Sequence, residues 1–323
     1  MKKFAQNHPF WFFYIIAFVL FQGGIALGVI LMPNYLEETM AKMEELGLNH
    51  SNVIITILLM FENPIWILGL IIPGAPAIAA VITTKVIGKK GALKKLFGKF
   101  KPVGEGISVN EALKQYSILL MYAVLVISAG LAYSYFFYGE SGLQQSLDKL
   151  RASSPLLMVG MFLLAAFTEE GALLEELGWR GYALPILLKR LKTPLYAAIA
   201  LGAAWSFWHF GRNVLPLIFG MPFGEWIITE IDFLTGAIAS TIVIVYFVNR
   251  LGGSIIPAIF IHGLGNYWYN YLPDLENPVH YFAFTFDTII RVVGAIIIII
   301  IAGKQLGLRS EKSSDIQLDI KSE

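Results

Sequence analysis

Cysteine is absent from this chain of 323 residues. Disulfide scaffolds, thiol nucleophiles and cysteine-ligated zinc or iron–sulfur centres are thereby excluded. Charge is scarce: 15% of the residues are Asp, Glu, Lys or Arg, against 56% from the apolar set. A soluble domain carries about a quarter charged residues, so this balance excludes an ordinary cytosolic enzyme. Excess positive charge is lacking too, since 24 Lys and Arg face 23 Asp and Glu. A chain-wide nucleic-acid-binding surface is excluded with it. No internal repeat, low-complexity tract or soluble domain stands out. What is present is aromatic and aliphatic: 7 Trp, 14 Tyr and 23 Phe rule out disorder. A multi-pass membrane protein remains, and its few charges become the informative residues.

Crossing a bilayer core as helix takes about 20 apolar residues. Phe10–Met32, Ile65–Thr84, Ser117–Tyr138, Pro155–Leu188, Leu195–Phe210, Phe233–Val248, Ser254–Tyr271 and Thr288–Ala302 are the candidate spans. The expected fold is an all-α polytopic membrane bundle of about eight transmembrane helices. Val53–Phe61 is too short to cross and reads as an interfacial or partly inserted helix. Met1-Lys2-Lys3 resembles the start of a signal peptide. The apolar stretch after it is too long for one and lacks a small-residue cleavage site, so a retained anchor is expected. Residues 1–114 form the anchor spans and a Lys-rich loop, 115–303 the core and 304–323 a polar tail.

Basic residues test this count, because cytoplasmic loops are enriched in them. Between Lys85 and Lys101 there are seven Lys and no acid. Lys189, Arg190 and Lys192 follow the fourth span, Arg250 the sixth, and Lys304, Arg309 and Lys312 the eighth. The alternate loops hold Glu37, Glu38, Glu44, Glu45, Glu225, Glu230, Asp274 and Glu276. There, acids match or outnumber Lys42, Lys149, Arg151 and Arg212. Both termini are therefore expected in the cytoplasm. The Lys-rich loop and the length suggest a bacterial plasma membrane.

Each ionisable group inside an apolar span needs a reason, since inserting one costs about 3 kcal/mol. Thr168–Arg180 holds Glu169, Glu170, Glu175 and Glu176 against the single Arg180. Glu176 and Arg180 are spaced i, i+4, which stacks them on one helix face as a structural ion pair. Glu175 lies about 100° further round and is free for other work. Glu169, seven residues before Glu176, falls on the Arg180 side; Glu170 has no assignment. Of five His, His8, His50 and His280 lie at span ends or in a polar loop, whereas His209 and His262 lie within apolar runs. A single intramembrane His is as readily a packing residue as a functional one. His262 and Asn266 are again i, i+4, and Gly263 and Gly265 allow close approach of another backbone. At about 1.5 Å per residue, Glu175 is roughly 21 Å from Lys189, His209 roughly 25 Å from Lys192 and His262 roughly 18 Å from Arg250. Three helices thus bring polar groups to one mid-bilayer layer.

A desolvated carboxylate beside imidazoles supports two schemes. Glu175 is a competent general base for water, or Glu175, His209 and His262 are the ligand types of a hydrolytic zinc centre with an open position. Asn266 and one His can donate to a developing oxyanion in either scheme. Hydrolysis of an acyl bond, most simply a peptide bond, is the reaction class. No His-Glu-x-x-His or Gly-x-Gly-Asp signature occurs. The literal Gly139-Glu140-Ser141-Gly142 lies in a polar loop, where a turn is its plain reading.

The motifs resemble those of the CPBP intramembrane endopeptidases, the CAAX protease and bacteriocin-processing (Abi) family. E-E-x-x-x-R matches Glu175 to Arg180 and continues into Gly181-Tyr182-Ala183-Leu184-Pro185. F-x-x-x-H matches at His209 with Trp205 in place of Phe, and H-x-x-x-N matches His262 to Asn266. The resemblance covers roughly Leu119 to Ala302. It implies a membrane peptidase in which Glu175 with His209 activates water while His262 and Asn266 stabilise the oxyanion. Glu176, Arg180 and Trp205 support them. It implies a lipidated or membrane-inserted peptide as substrate, CaaX-like or bacteriocin-like, with membrane lipid around it, and leaves zinc open. Two other readings stand beside it: a proton- or cation-coupled transporter, without the repeated broken helices of that class, and a non-catalytic immunity or scaffold protein.

Overall fold

The structure, a computed structural model, describes residues 1–31, 34–45, 52–151, 163, 166–267 and 279–308. Among these there are helices and no strands. The helices used below are α1 (Pro9–Leu31), α2 (Val53–Glu62), α3 (Leu68–Ile87), α4 (Val109–Arg151), α5 (Glu170–Glu176), α6 (Leu184–Arg190), α7 (Pro194–Trp208), α8 (Phe223–Arg250), α9 (Ile256–Tyr267) and α10 (Val279–Ala302).

Among the described residues, five stretches are long and apolar enough to cross a membrane: Pro9–Leu31, Pro64–Ile87, Val109–Leu150, Phe223–Arg250 and Phe286–Gln305. The chain is a multi-pass integral membrane protein. Of the other three expected crossings, α7 is an apolar helix of 15 residues and α9 one of 12. Pro155–Leu188 falls partly outside the described residues; the rest is α5, a π-helical stretch Leu177–Ala183, and α6. Asp274, Glu276, Arg309 and Lys312 also lie outside them. Exposed side chains such as Ile30, Ile296, Ile297, Ile300 and Ile301 suit a solvent of acyl chains. His280 belongs to α10 rather than to a loop.

The turn read at Gly139 is present, between helical flanks instead of in a polar loop. Gly139 sits within α4 at φ 68, ψ −160, a backbone state that glycine adopts without steric cost. The chain reverses there, so Ser134 Oγ and Ser146 Oγ come within 2.8 Å. A continuous helix would hold them about 18 Å apart. The Gly-x-Ser-Gly sequence is thus a helical reversal, and the Ser141 hydroxyl donates to the Tyr138 carbonyl.

Aromatic packing and tight backbone contacts position the site. From α1, the Tyr14 hydroxyl donates to the Ala204 carbonyl at 3.0 Å and Gln22 Nε2 to the Trp208 carbonyl at 2.8 Å. Trp208 Nε1 returns a bond to the Ala17 carbonyl at 3.0 Å. These fix the end of α7, where His209 follows. Gly178 abuts α3 so closely that a Cβ there would lie 2.5 Å from the Pro76 backbone. Gly202 lets α7 meet α8, its Cβ position being 2.7 Å from Ile238 Cα. At the far end the basic loops join: Gly104 N donates to Leu251 O, Ile255 N to Lys99 O and Asn249 Nδ2 to Leu306 O. Arg190 reaches the Asn7 carbonyl at that end. The basic clusters expected on one membrane face are therefore neighbours in space.

Candidate active site

Glu169 precedes α5 with extended ψ (131°), and its carboxylate accepts from Gly171 N and Ala172 N. It caps the helix instead of sharing Arg180. The seven-residue spacing fails because Glu169 lies outside the helix. Glu170 accepts from the Thr56 hydroxyl of α2. One turn further, Glu175 and Glu176 are buried on different faces.

Glu176 is the hub of a charged cluster. Arg180 Nη1 donates to its Oε1 at 2.7 Å, and His262 Nδ1 donates to the same oxygen at 2.9 Å. Arg180 Nη2 donates to Thr241 Oγ1 of α8 at 2.9 Å, and its Cζ stands 5.1 Å over the Trp205 ring. The Glu176 and Arg180 side chains are fully excluded from solvent. This cluster couples α5, α8 and α9 and sets the His262 ring.

Glu175 faces the other way. Trp205 Nε1 donates to its Oε2 at 2.7 Å, a bond that phenylalanine at this position cannot make. His209 Nδ1 lies 2.9 Å from the Trp205 carbonyl. A carbonyl only accepts, so Nδ1 carries the proton and Nε2 presents its lone pair. That Nε2 is 4.0 Å from Glu175 Oε1, too far for a direct hydrogen bond. Trp205 also stacks edge-on against His262 at 5.0 Å between centroids. Two acceptors, a carboxylate oxygen and an imidazole nitrogen, thus face each other, with a second imidazole also against Trp205.

The structure brings Glu175, Glu176, Arg180, Trp205, His209 and His262 together. Asn266 is exposed in the last described turn of α9 and is absent from the lining of the cavity that His262 enters. That cavity is lined by Trp205, Ser240, His262, Gly265, Asp287 and Arg291, among others. Asp287 and Arg291 pair on α10, and Arg291 Nη1 donates to Ser240 Oγ at 3.1 Å. Among the described residues no three His, Cys, Asp or Glu side chains converge closely enough to hold a metal ion. Thr241, Phe233, Asp287 and Arg291 are additions to the expected set. Asp287 and Arg291, at i, i+4, carried a readable signal at the edge of the last span; Thr241, inside an apolar run, carried none.

Residues 151–268 match the family described as type II CAAX prenyl endopeptidase Rce1-like. CAAX prenyl protease 2 of Methanococcus maripaludis is 34% identical over 154 residues, which are 46% of this chain and 52% of the relative. The chain thus spans about half the length of that relative. All of the charged and aromatic side chains gathered at the site from α5, α7 and α9 lie within the matched segment.

Proposed function

From the match of residues 151–268 to the Rce1-like family, we propose that this chain is a CAAX-protease-like intramembrane endopeptidase of membrane-associated, lipidated peptides. One observation carries the reading: Glu175 Oε1 and His209 Nε2 stand 4.0 Å apart across a buried gap, both as acceptors. A water between them donates one hydrogen to each and turns a lone pair toward a substrate carbonyl carbon. Glu175 takes the proton as the C–O bond forms. Trp205 holds the carboxylate in place through its indole N–H.

His262 takes the other side. Held against the Glu176 carboxylate, it carries a proton on both ring nitrogens in this reading. Its Nδ1–H is held by Glu176, so Nε2–H is left to donate to the oxyanion. Asn266, one turn further along α9, is the second donor, offered from the exposed end of that helix. Glu176 and Arg180 act through His262 and Trp205. Collapse of the tetrahedral intermediate breaks the C–N bond, and Glu175 returns the proton to the leaving amine. The scheme needs no metal.

The substrate class follows from the relatives: a C-terminal C-a-a-X segment whose cysteine carries a prenyl chain. The proposal includes a bacterial plasma membrane with both termini cytoplasmic, a reading supported by the distribution of basic residues. The test uses protein purified in detergent and a quenched fluorescent farnesylated peptide, with the cleaved bond identified by mass spectrometry. Cleavage that persists in chelator is expected. No cut in a prenylated peptide library, together with proton or cation movement in vesicles, would overturn the proposal.

A further inference from the structure

Directly after His209 the chain turns through Phe210–Asn213, and Arg212 N donates to the His209 carbonyl at 3.0 Å. The Arg212 guanidinium lies over Phe233, with Cζ 5.4 Å from the ring centroid. Phe233 in turn stands edge-on to the His209 imidazole at 5.1 Å. Among the described residues the guanidinium has one polar partner, Asn213 Oδ1, reached by Nε at 3.2 Å. Neither Nη group of this exposed side chain donates a hydrogen bond among the described residues. Glu230, facing from α8, is engaged by Asn213 Nδ2 at 3.3 Å and, like Glu175, attracts the Arg212 charge without a direct hydrogen bond. Arg180 is bound to Glu176 and Thr241, and Arg291 to Asp287 and Ser240. A fork whose Nη groups make no hydrogen bond, at the edge of a reaction site and with its plane fixed by an aromatic face, can take a carboxylate.

We infer that Arg212 anchors the free α-carboxylate at the end of the substrate chain. The inference rests on the peptidase reading and deepens it. A C-a-a-X chain ends three residues beyond its modified cysteine, and three extended residues span about 10 Å. Phe233, touching His209 at 5.1 Å and the Arg212 guanidinium at 5.4 Å, sets that length as the upper limit of the step from His209 to Arg212. With the acid end held at Arg212, the bond after the prenylated cysteine lies at the Glu175–His209 gap. The protein would then select its bond by distance from the chain end.

The test compares one farnesylated peptide as free acid and as C-terminal amide. Wild-type protein should cleave the acid with a kcat/KM at least about tenfold higher, the scale of a charge-assisted hydrogen-bond pair. Arg212→Gln should lower the acid's kcat/KM by at least about tenfold more than the amide's, and Arg212→Lys should restore part of that preference. Equal turnover of the two peptides by wild type, or equal loss on both in Arg212→Gln, would overturn the inference. Equal loss that depends on added anionic phospholipid would assign the fork to a lipid phosphate and overturn it too. Binding of both peptides to Glu175→Gln separates the two readings. If wild type cuts nothing, an acid-over-amide binding preference that Arg212→Gln removes upholds the anchor and sinks only the peptidase reading. Equal binding then sinks the anchor.

Discussion

Arg180→Gln probes the charged cluster most sharply. Arg180 and Glu176 are both fully buried, with Nη1 and Oε1 2.7 Å apart, and the guanidinium also bonds Thr241 and covers Trp205. Removing one partner of such a pair strands the other charge, at a cost of about 3–5 kcal/mol. The cost of an isolated carboxylate at bilayer depth is similar, about 3 kcal/mol. Arg180→Gln should therefore lose about 3 kcal/mol of stability. Glu176→Gln combined with Arg180→Gln removes the stranded charge and should recover about 2 kcal/mol of that loss. Activity should not recover, because His262 Nδ1 no longer meets a carboxylate. Thermal unfolding of the four proteins of this cycle in one detergent reads the stabilities, and cleavage of the quenched peptide reads the function. The reasoning fails if Arg180→Gln melts within about 1 °C of wild type, or if the double variant is no more stable than the single.

Trp205→Phe keeps a ring against His262 but removes the N–H that holds Glu175, so kcat should fall about tenfold with little change in KM. Retention of kcat within about twofold would show that the indole bond is dispensable. At Gly171, an added Cβ would lie 3.1 Å from Glu175 Oε1. Gly171→Ala should thus lower kcat while leaving the melting temperature nearly unchanged, and an unaffected kcat would mean the carboxylate has room to move. Because the chain has no cysteine, single-cysteine variants report topology cleanly. In intact cells Lys94→Cys should resist a membrane-impermeant maleimide and Glu225→Cys should react; the opposite pattern would invert the proposed orientation.

Helical period made much of the site legible. Glu176 and Arg180 meet as their i, i+4 spacing requires, even though the backbone passes into a π-helical stretch at Leu177. Period fails where a helix begins, and Glu169 shows it: one residue outside α5, it becomes a cap. Depth along separate helices anticipated that Glu175, His209 and His262 would be neighbours. It carried no information on which ring nitrogen faces which oxygen, since that is set by the Trp205 carbonyl and by Glu176. The aromatic exchange at Trp205 reads in sequence as a change of shape; its consequence is a hydrogen-bond donor. Thr241 illustrates what hydropathy hides, a single hydroxyl inside an apolar helix that completes the Arg180 shell. Gly139 reverses a helix that its flanking residues alone would continue.

The central claim is that a buried carboxylate from α5 and an imidazole at the end of α7 activate water together. Single-turnover cleavage of the farnesylated peptide by Glu175→Gln, checked for an unchanged melting temperature, tests it most directly. Glutamine keeps the acceptor for the Trp205 indole but cannot take a proton. Loss of the chemical step in a folded protein that still binds the peptide is the predicted result. Cleavage at the wild-type rate would contradict the account.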